Sequence, residues 1–143
     1  MRIIYSKIVG DLFHHGHARF FEQAREYGDR LVVHVVDDAR VTDFKRRPVM
    51  TQEERIAVIS SCRWVDEARA HGPFYITREF LDAEGFAAYA FSYCDEAELG
   101  VKRSQCPDLP PERVVPCRYT DGISTTELIQ RVLERREEYA RKK

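Results

Sequence analysis

The chain of 143 residues predicts an α/β domain with a doubly wound, parallel five-stranded sheet and helices on both faces. Three observations carry that expectation. Apolar, β-branched runs alternate with segments of helical periodicity about five times, the pattern of right-handed β–α–β crossovers. One run, Leu31-Val32-Val33-His34-Val35-Val36, is apolar almost throughout, as a central parallel strand buried on both faces requires. The loops after the strands hold histidine, lysine–arginine and hydroxyl clusters, and such sheets bind ligands at the carboxyl ends of their strands, where strand order reverses.

Each element follows from local pattern. Ile3 to Val9 reads as the first strand. His17 to Tyr27 carries Phe20, Phe21, Ala24 and Tyr27 at helical spacing, and Gly28 stops it. Leu31 to Val36 is the second strand, and Asp37 to Pro48 reads as a polar, basic loop. Thr51-Gln52-Glu53-Glu54 is a capping box that opens a helix bearing Ile56, Val58 and Ile59. Trp64 to Ala68 reads as a short strand, and His71-Gly72-Pro73 as a turn. Thr77 to Ala83 reads as helix and Ala87 to Phe91 as strand. Pro107 to Pro111 is a loop, and Val114-Val115 begins the last strand. Ser124-Thr125-Thr126-Glu127 is a second capping box, and the helix after it is expected to turn Leu128, Ile129, Val132 and Leu133 inward. From about Glu134 to Lys143 the chain reads as a charged helical tail. With no repeat or linker, residues 1–143 are expected to form a single domain.

Composition narrows the function. Lys+Arg number 23 against Asp+Glu 24, so no basic field favours a nucleic-acid partner. Cys62, Cys94, Cys106 and Cys117 form no CxxC pair, which argues against a zinc site and for reduced thiols in a cytoplasmic protein. The opening residues are too short and polar a run for a signal peptide, and no apolar stretch nears the ~20 residues of a membrane span.

The chemistry concentrates in Asp11-Leu12-Phe13-His14-His15-Gly16-His17, where the first strand turns into a helix. Free N–H groups and a positive dipole make that helix start a phosphate site. His14 and His17, three apart around Gly16, would add imidazole N–H donors. The same histidines alone are also compatible with simple helix capping, or with a metal pair that lacks an assured third ligand; Asp11 is the nearest acid. Lys45-Arg46-Arg47-Pro48 reads either as a solvated basic loop or as a lid that brings Lys45 between two reacting phosphates. Arg55 and Arg63 are further candidates for phosphate contact, and Arg63 equally for a subunit contact. In Arg118-Tyr119-Thr120-Asp121-Gly122-Ile123-Ser124-Thr125-Thr126, the hydroxyls cap a helix and also suit phosphate.

Together these segments resemble the small cytidylyltransferases, which include the glycerol-3-phosphate, phosphoethanolamine and phosphocholine enzymes. The HxGH core at His14 to His17, Gly28-Asp29-Arg30-Leu31-Val32-Val33, Lys45, Arg63-Trp64-Val65-Asp66-Glu67 and Gly122-Ile123-Ser124-Thr125-Thr126 run in that order over nearly the whole chain. The resemblance implies a Rossmann-like nucleotidyltransferase fold that moves CMP from CTP to a small phosphate- or phosphonate-bearing acceptor. It implies His14, His17 and Lys45 as catalytic. Gly10, Asp11, Arg118, Thr120, Gly122, Ile123, Ser124, Thr125 and Thr126 are then expected at the nucleotide. Mg²⁺ would ride on the nucleotide phosphates without an assigned protein ligand. A homodimer through Arg63 to Glu67 is implied as well.

Three departures bear on the acceptor. The family's Gly-Thr-Phe-Asp turn reads Ile8-Val9-Gly10-Asp11 here. Its arginine before Thr-x-Gly-Ile-Ser-Thr is Tyr119, with Arg118 one place earlier and so on the opposite face of a strand. Its acidic pair after the fourth strand is replaced by Tyr93 and Cys94, with Lys102 and Arg103 following. Less negative charge predicts an anionic acceptor, with Arg46, Tyr93, Lys102 and Arg103 as candidate acceptor contacts. An ATP-using adenylyltransferase and a non-catalytic nucleotide-binding regulatory module are the alternatives.

Overall fold

The computed structural model describes residues 1–141; the last two residues of the expected tail, Lys142 and Lys143, lie outside the described residues. The chain runs β1 (Ile3–Ile8), α1 (His15–Arg25), β2 (Arg30–Val35), α2 (Asp38–Phe44), α3 (Gln52–Ser60), β3 (Glu67–Arg69), α4 (Arg78–Glu84), β4 (Ala88–Tyr93) and α5 (Glu96–Ser104). A 3₁₀ turn (Pro111–Arg113), β5 (Val114–Arg118), α6 (Thr125–Glu134) and α7 (Arg136–Ala140) complete it. The five strands form one sheet in the order β3-β2-β1-β4-β5, with every neighbouring pair parallel.

The expected doubly wound α/β fold is therefore present. Strand order reverses between β1 and β4, because β2 and β3 build outward from one side of β1 while β4 and β5 build from the other. Alternation along each strand divides the core in two. On one face Ile4, Leu31, Val33, Val35, Ala88, Ala90, Val115 and Cys117 pack with Phe20, Phe21 and Ala24 of α1 and Ile59 of α3. On the other, Tyr5, Val32, Tyr89 and Phe91 pack with Leu81 of α4, with Phe86 and with Cys106. His34 in the midst of β2 is 1% exposed, as the apolar run around it demands.

Four elements differ from the sequence expectation. The stretch read as a loop from Asp37 to Pro48 contains α2, whose N-cap Asp37 accepts from the Arg40 amide at 2.8 Å. Only Val41 of α2 is buried, so no apolar stripe announced the helix. Helix α5 was not anticipated either: Asp95 caps it by accepting from the Glu98 amide at 2.8 Å, and none of its residues is fully buried. Strand β3 pairs over Glu67–Arg69, later than Trp64 to Ala68, because its contact with β2 begins only at Glu67. In α6, Leu128 and Ile129 are half-buried, but Val132 and Leu133 are 53% and 61% exposed. The apolar stripe of that helix is therefore covered over its first turns and open over its last.

Candidate active site

The turn from β1 into α1 is shaped by Gly10, which takes φ +69°. A Cβ there would lie 2.6 Å from Ile59 Cδ1, so the turn requires glycine both for its backbone and for its room. Asp11 follows, 4% exposed, and both its carboxylate oxygens are engaged: Val49 N–H donates to Oδ2 at 2.8 Å and Met50 N–H to Oδ1 at 2.9 Å. Asp11 thereby ties the loop after α2 to the head of α1.

His14 is the N-cap of α1. Its Nδ1 accepts from the Gly16 amide at 3.1 Å, while the His14 amide donates to His17 Nδ1 at 3.2 Å. This is a capping box built from two imidazoles, whose ring centroids lie 3.9 Å apart. Because each Nδ1 accepts, each Nε2 carries the proton and is left as a donor. Both rings are held neutral. Burial and the neighbouring His15 lower the pKa of His14; burial, then His14 and Lys45, lower that of His17 to about 3. Gly16 leaves room for this arrangement, since a Cβ there would lie 2.9 Å from both His14 Cε1 and the Tyr119 hydroxyl.

The second wall comes from the segment between β5 and α6. Thr125, 9% exposed, donates its hydroxyl to the Asp11 carbonyl at 2.8 Å and lies 3.5 Å from His14 Nε2. The Tyr119 hydroxyl lies 3.3 Å from the same nitrogen. Ser124 caps α6 by accepting from the Glu127 amide at 3.0 Å. One cavity of about 860 Å³ runs across these strand ends. Its lining includes Gly10, Asp11, His17, Lys45, Arg46 and the whole stretch from Thr120 to Thr126.

The sequence-expected residues divide accordingly. His14, His17 and Thr125 meet directly. Lys45, the C-cap of α2, stands at the rim of the cavity, with its ammonium pKa lowered by the surrounding protein and by Arg46. Arg46 donates to Thr126 Oγ1 at 3.2 Å, which ties the basic loop to the start of α6. Lys102 lines the cavity and donates to the Ser92 carbonyl at 2.9 Å. Tyr93 instead packs against the second core cluster, and Arg103 is exposed on α5 away from the cavity lining. Arg118 is exposed and outside the lining; strand alternation turns Tyr119, not Arg118, toward His14.

Arg55 plays a different part from the phosphate contact considered for it. Fully buried, it donates to the carbonyls of Met50, Val9 and Val36 at 3.1, 2.8 and 2.7 Å and to Asp38 Oδ1 at 2.5 Å. Arg63 is exposed and its guanidinium lies over the Trp64 ring at 5.2 Å. Sequence reading missed Lys7, Arg40, Phe74 and Gln105, all of which line the cavity. For Lys7 a signal existed: it is the one charged residue in the first apolar run.

Among the described residues no group of three His, Cys, Asp or Glu side chains is placed to hold a metal. With Asp11 committed to two amides, the protein side supplies N–H donors and cations suited to phosphate oxygens.

A cytidylyltransferase-like family model matches residues 11–131. The ethanolamine-phosphate cytidylyltransferase of Dictyostelium discoideum is 35% identical over 130 residues, covering 86% of this chain and 34% of that protein. Choline-phosphate cytidylyltransferase 2 of Arabidopsis thaliana is 31% identical over 140 residues, covering 95% and 46%. The human choline-phosphate cytidylyltransferase A is 31% identical over 148 residues, covering 97% and 38%. The chain thus spans between about a third and a half of the length of these relatives. A solved structure from Thermoplasma volcanium GSS1, a lipopolysaccharide core biosynthesis protein, superposes with TM-score 0.60 at 24% identity, covering 86% of this chain and 99% of that one; it shares the fold. With the family model spanning the site from Asp11 through the start of α6, the chain belongs to the cytidylyltransferase-like family.

Proposed function

We propose that the protein transfers CMP from CTP to a small phosphate- or phosphonate-bearing acceptor that carries a further negative charge. The observation that carries this reading is the pair of neutral imidazoles at the start of α1, locked by each other and faced by Thr125 and Tyr119. An acceptor oxygen attacks the α-phosphorus, a P–O bond forms, and the bond to the β-phosphate breaks to release pyrophosphate. The acceptor is already an anion, so no general base is needed. Catalysis then rests on positioning and on stabilising charge as it grows on phosphate oxygens. The Nε2–H groups of His14 and His17 serve as those donors. Lys45 and Arg46 bring cations over the reacting phosphates, and the start of α6 receives the β- and γ-phosphates. Mg²⁺ enters with CTP on its phosphates.

The test is pyrophosphate release from CTP and Mg²⁺, measured across acceptors bearing carboxylate, hydroxyl or ammonium groups. CTP-dependent, acceptor-dependent release supports the reading. Release from ATP but not CTP would make the protein an adenylyltransferase, and CTP binding without release from any acceptor would make it a regulatory module. Replacing His14 with Ala is expected to lower kcat by about 10²–10³ while the circular-dichroism spectrum is kept. We further propose a homodimer through Arg63 to Glu67, checked by light scattering, with residues 1–143 acting as one domain. Its four unpaired cysteines suit a cytoplasmic setting.

A further inference from the structure

The cavity that His17 lines also takes in the positive charges of Lys7, Arg40 and Lys102. Lys7 lies near the end of β1, on the same sheet face as Tyr5 by alternation. Its ammonium is half-buried; it donates to the Phe74 carbonyl at 2.7 Å and to Gln105 Oε1 at 3.0 Å, and stands 4.3 Å from the centre of the Phe74 ring. An ammonium has three N–H bonds, so one remains for a partner. Among the described residues neither Lys7 nor Lys102 forms an ion pair. Lys102 spends one N–H on Ser92 and keeps two. Arg40 of α2 lines the same end, donating to the Gly72 carbonyl at 3.3 Å.

The acids of the cavity stand elsewhere or are occupied. Asp11 holds two loop amides, and Glu98, which accepts from the Cys94 amide at 2.9 Å, acts with its charge on Lys102 and Lys45 and not on Lys7. Asp121 and Glu127 belong to the segment around the start of α6. Burying a cation without a counter-charge is costly, and a chain that does so beside a ligand cavity leaves the counter-charge to the ligand.

Resting on the proposed transfer reaction, we propose that Lys7, flanked by Lys102, is the specificity-determining residue that receives a carboxylate at the end of the acceptor remote from its phosphate. Its placement on a rigid strand, two hydrogen bonds and an aromatic ring fixes the ammonium, so the acceptor's length is read along with its charge. The groups facing Lys7 are Lys102 from α5, Arg40 from α2, His34 from the adjacent position of β2 and Cys106 beyond α5. Burial, then Lys102 and Arg40, lower the Lys7 pKa to about 8. Its charge, and with it the preference for a carboxylate, is therefore nearly full at pH 7 and below, half lost near pH 8 and fades above it.

The experiment compares three acceptors of similar size under saturating CTP and Mg²⁺: phosphoglycolate, glycerol 3-phosphate and phosphoethanolamine. The wild-type protein is expected to prefer phosphoglycolate. Lys7→Met should lower the ratio of kcat/KM for phosphoglycolate over glycerol 3-phosphate by about 10- to 100-fold, chiefly through KM. Lys7→Arg should retain most of that ratio, and Lys7→Glu should shift preference toward phosphoethanolamine. The phosphoglycolate KM should also rise above pH 8 in wild type and not in Lys7→Met. An equal loss on all three acceptors in Lys7→Met, or a wild-type preference for phosphoethanolamine, overturns the assignment. If no acceptor yields pyrophosphate, the transfer reading fails and calorimetry decides the subsite. Phosphoglycolate binding that is lost in Lys7→Met then upholds it, and equal binding or no binding to the two proteins overturns it.

Discussion

The two site histidines are donors because of how each is held. Each Nδ1 accepts a backbone amide, which leaves each Nε2 protonated, that of His14 at 3.3 Å from the Tyr119 hydroxyl and 3.5 Å from that of Thr125. A charged imidazolium would have to give up one of those amide bonds inside a buried capping box. The consequence is a stability prediction. His17, with pKa about 3, and His34, lowered to about 4 by burial and by Arg40 and Lys7, both titrate near 6.5 once the chain unfolds. Above pH 6.5 both states are neutral and the stability is fully present. As pH falls below 6.5 the unfolded chain takes up protons the native state refuses, so stability declines toward the folded pKa values. At pH 5 each buried histidine accounts for roughly 2 kcal/mol of that loss. Urea midpoints at pH 7.5, 6 and 5 should fall in step, and His34→Gln should flatten the decline. Identical midpoints at pH 7.5 and 5 would mean that the rings accept charge within the fold.

Among the elements, α2 and the loop after it are positioned by Arg55 of α3. One guanidinium gathers the chain just beyond β1 and β2 through Val9 and Val36, the loop through Met50, and the first turn of α2 through Asp38. Asp11 holds the same loop from the opposite side. Together they set where Lys45 and Arg46 stand relative to α6. Arg55→Ala is expected to cost about 2–4 kcal/mol, because it empties a buried site and strands the buried Val36 carbonyl and the partly buried Val9 and Met50 carbonyls, while the half-exposed Asp38 carboxylate returns to water. Arg55→Lys should recover little, since an ammonium cannot reproduce the planar fork. Denaturant unfolding measures both; a loss below about 1 kcal/mol for Arg55→Ala would show that water replaces the guanidinium.

At the scale of the whole molecule, the reversal of strand order between β1 and β4 opens one cavity that takes residues from β1, α1, α2, β4, α5 and the start of α6. A ligand that bridges so many elements ties distant parts of the chain together and stabilises the native state by mass action. CTP at 100 times its Kd should add about 2.7 kcal/mol, a rise in melting temperature on the order of 10 °C for a chain of this size. ATP at the same concentration should give a clearly smaller rise, and equal rises would favour the adenylyltransferase alternative. Among the described residues no helix is long and apolar enough to cross a membrane.

The strands were legible because buried parallel strands leave an unbroken apolar record, as Leu31 to Val36 does. So was the HxGH start of α1, because Gly16 and both histidines are adjacent in the chain. Helices α2 and α5 left no such record: each has a capping aspartate, Asp37 or Asp95, but at most one buried residue to mark its period. Local pattern also cannot say how far along a helix its apolar stripe stays covered, which is why Val132 and Leu133 carry the periodicity of an inner face yet meet solvent. The sequence by itself determined the fold class, the family and the capped turn from β1 into α1, since these depend on periodicity and on short-range spacing. Only the tertiary structure decided which side chains face the cavity. It withdrew Arg55 into the core, brought the Tyr119 hydroxyl to His14, and brought Lys7 of β1 to the same cavity as Lys102 of α5. The placing of Arg55 and Lys7 depends on which strands and helices lie side by side, which no local stretch of chain records; that Arg118 faces away was already legible in strand alternation, and only the 3.3 Å approach of the Tyr119 hydroxyl to His14 was not.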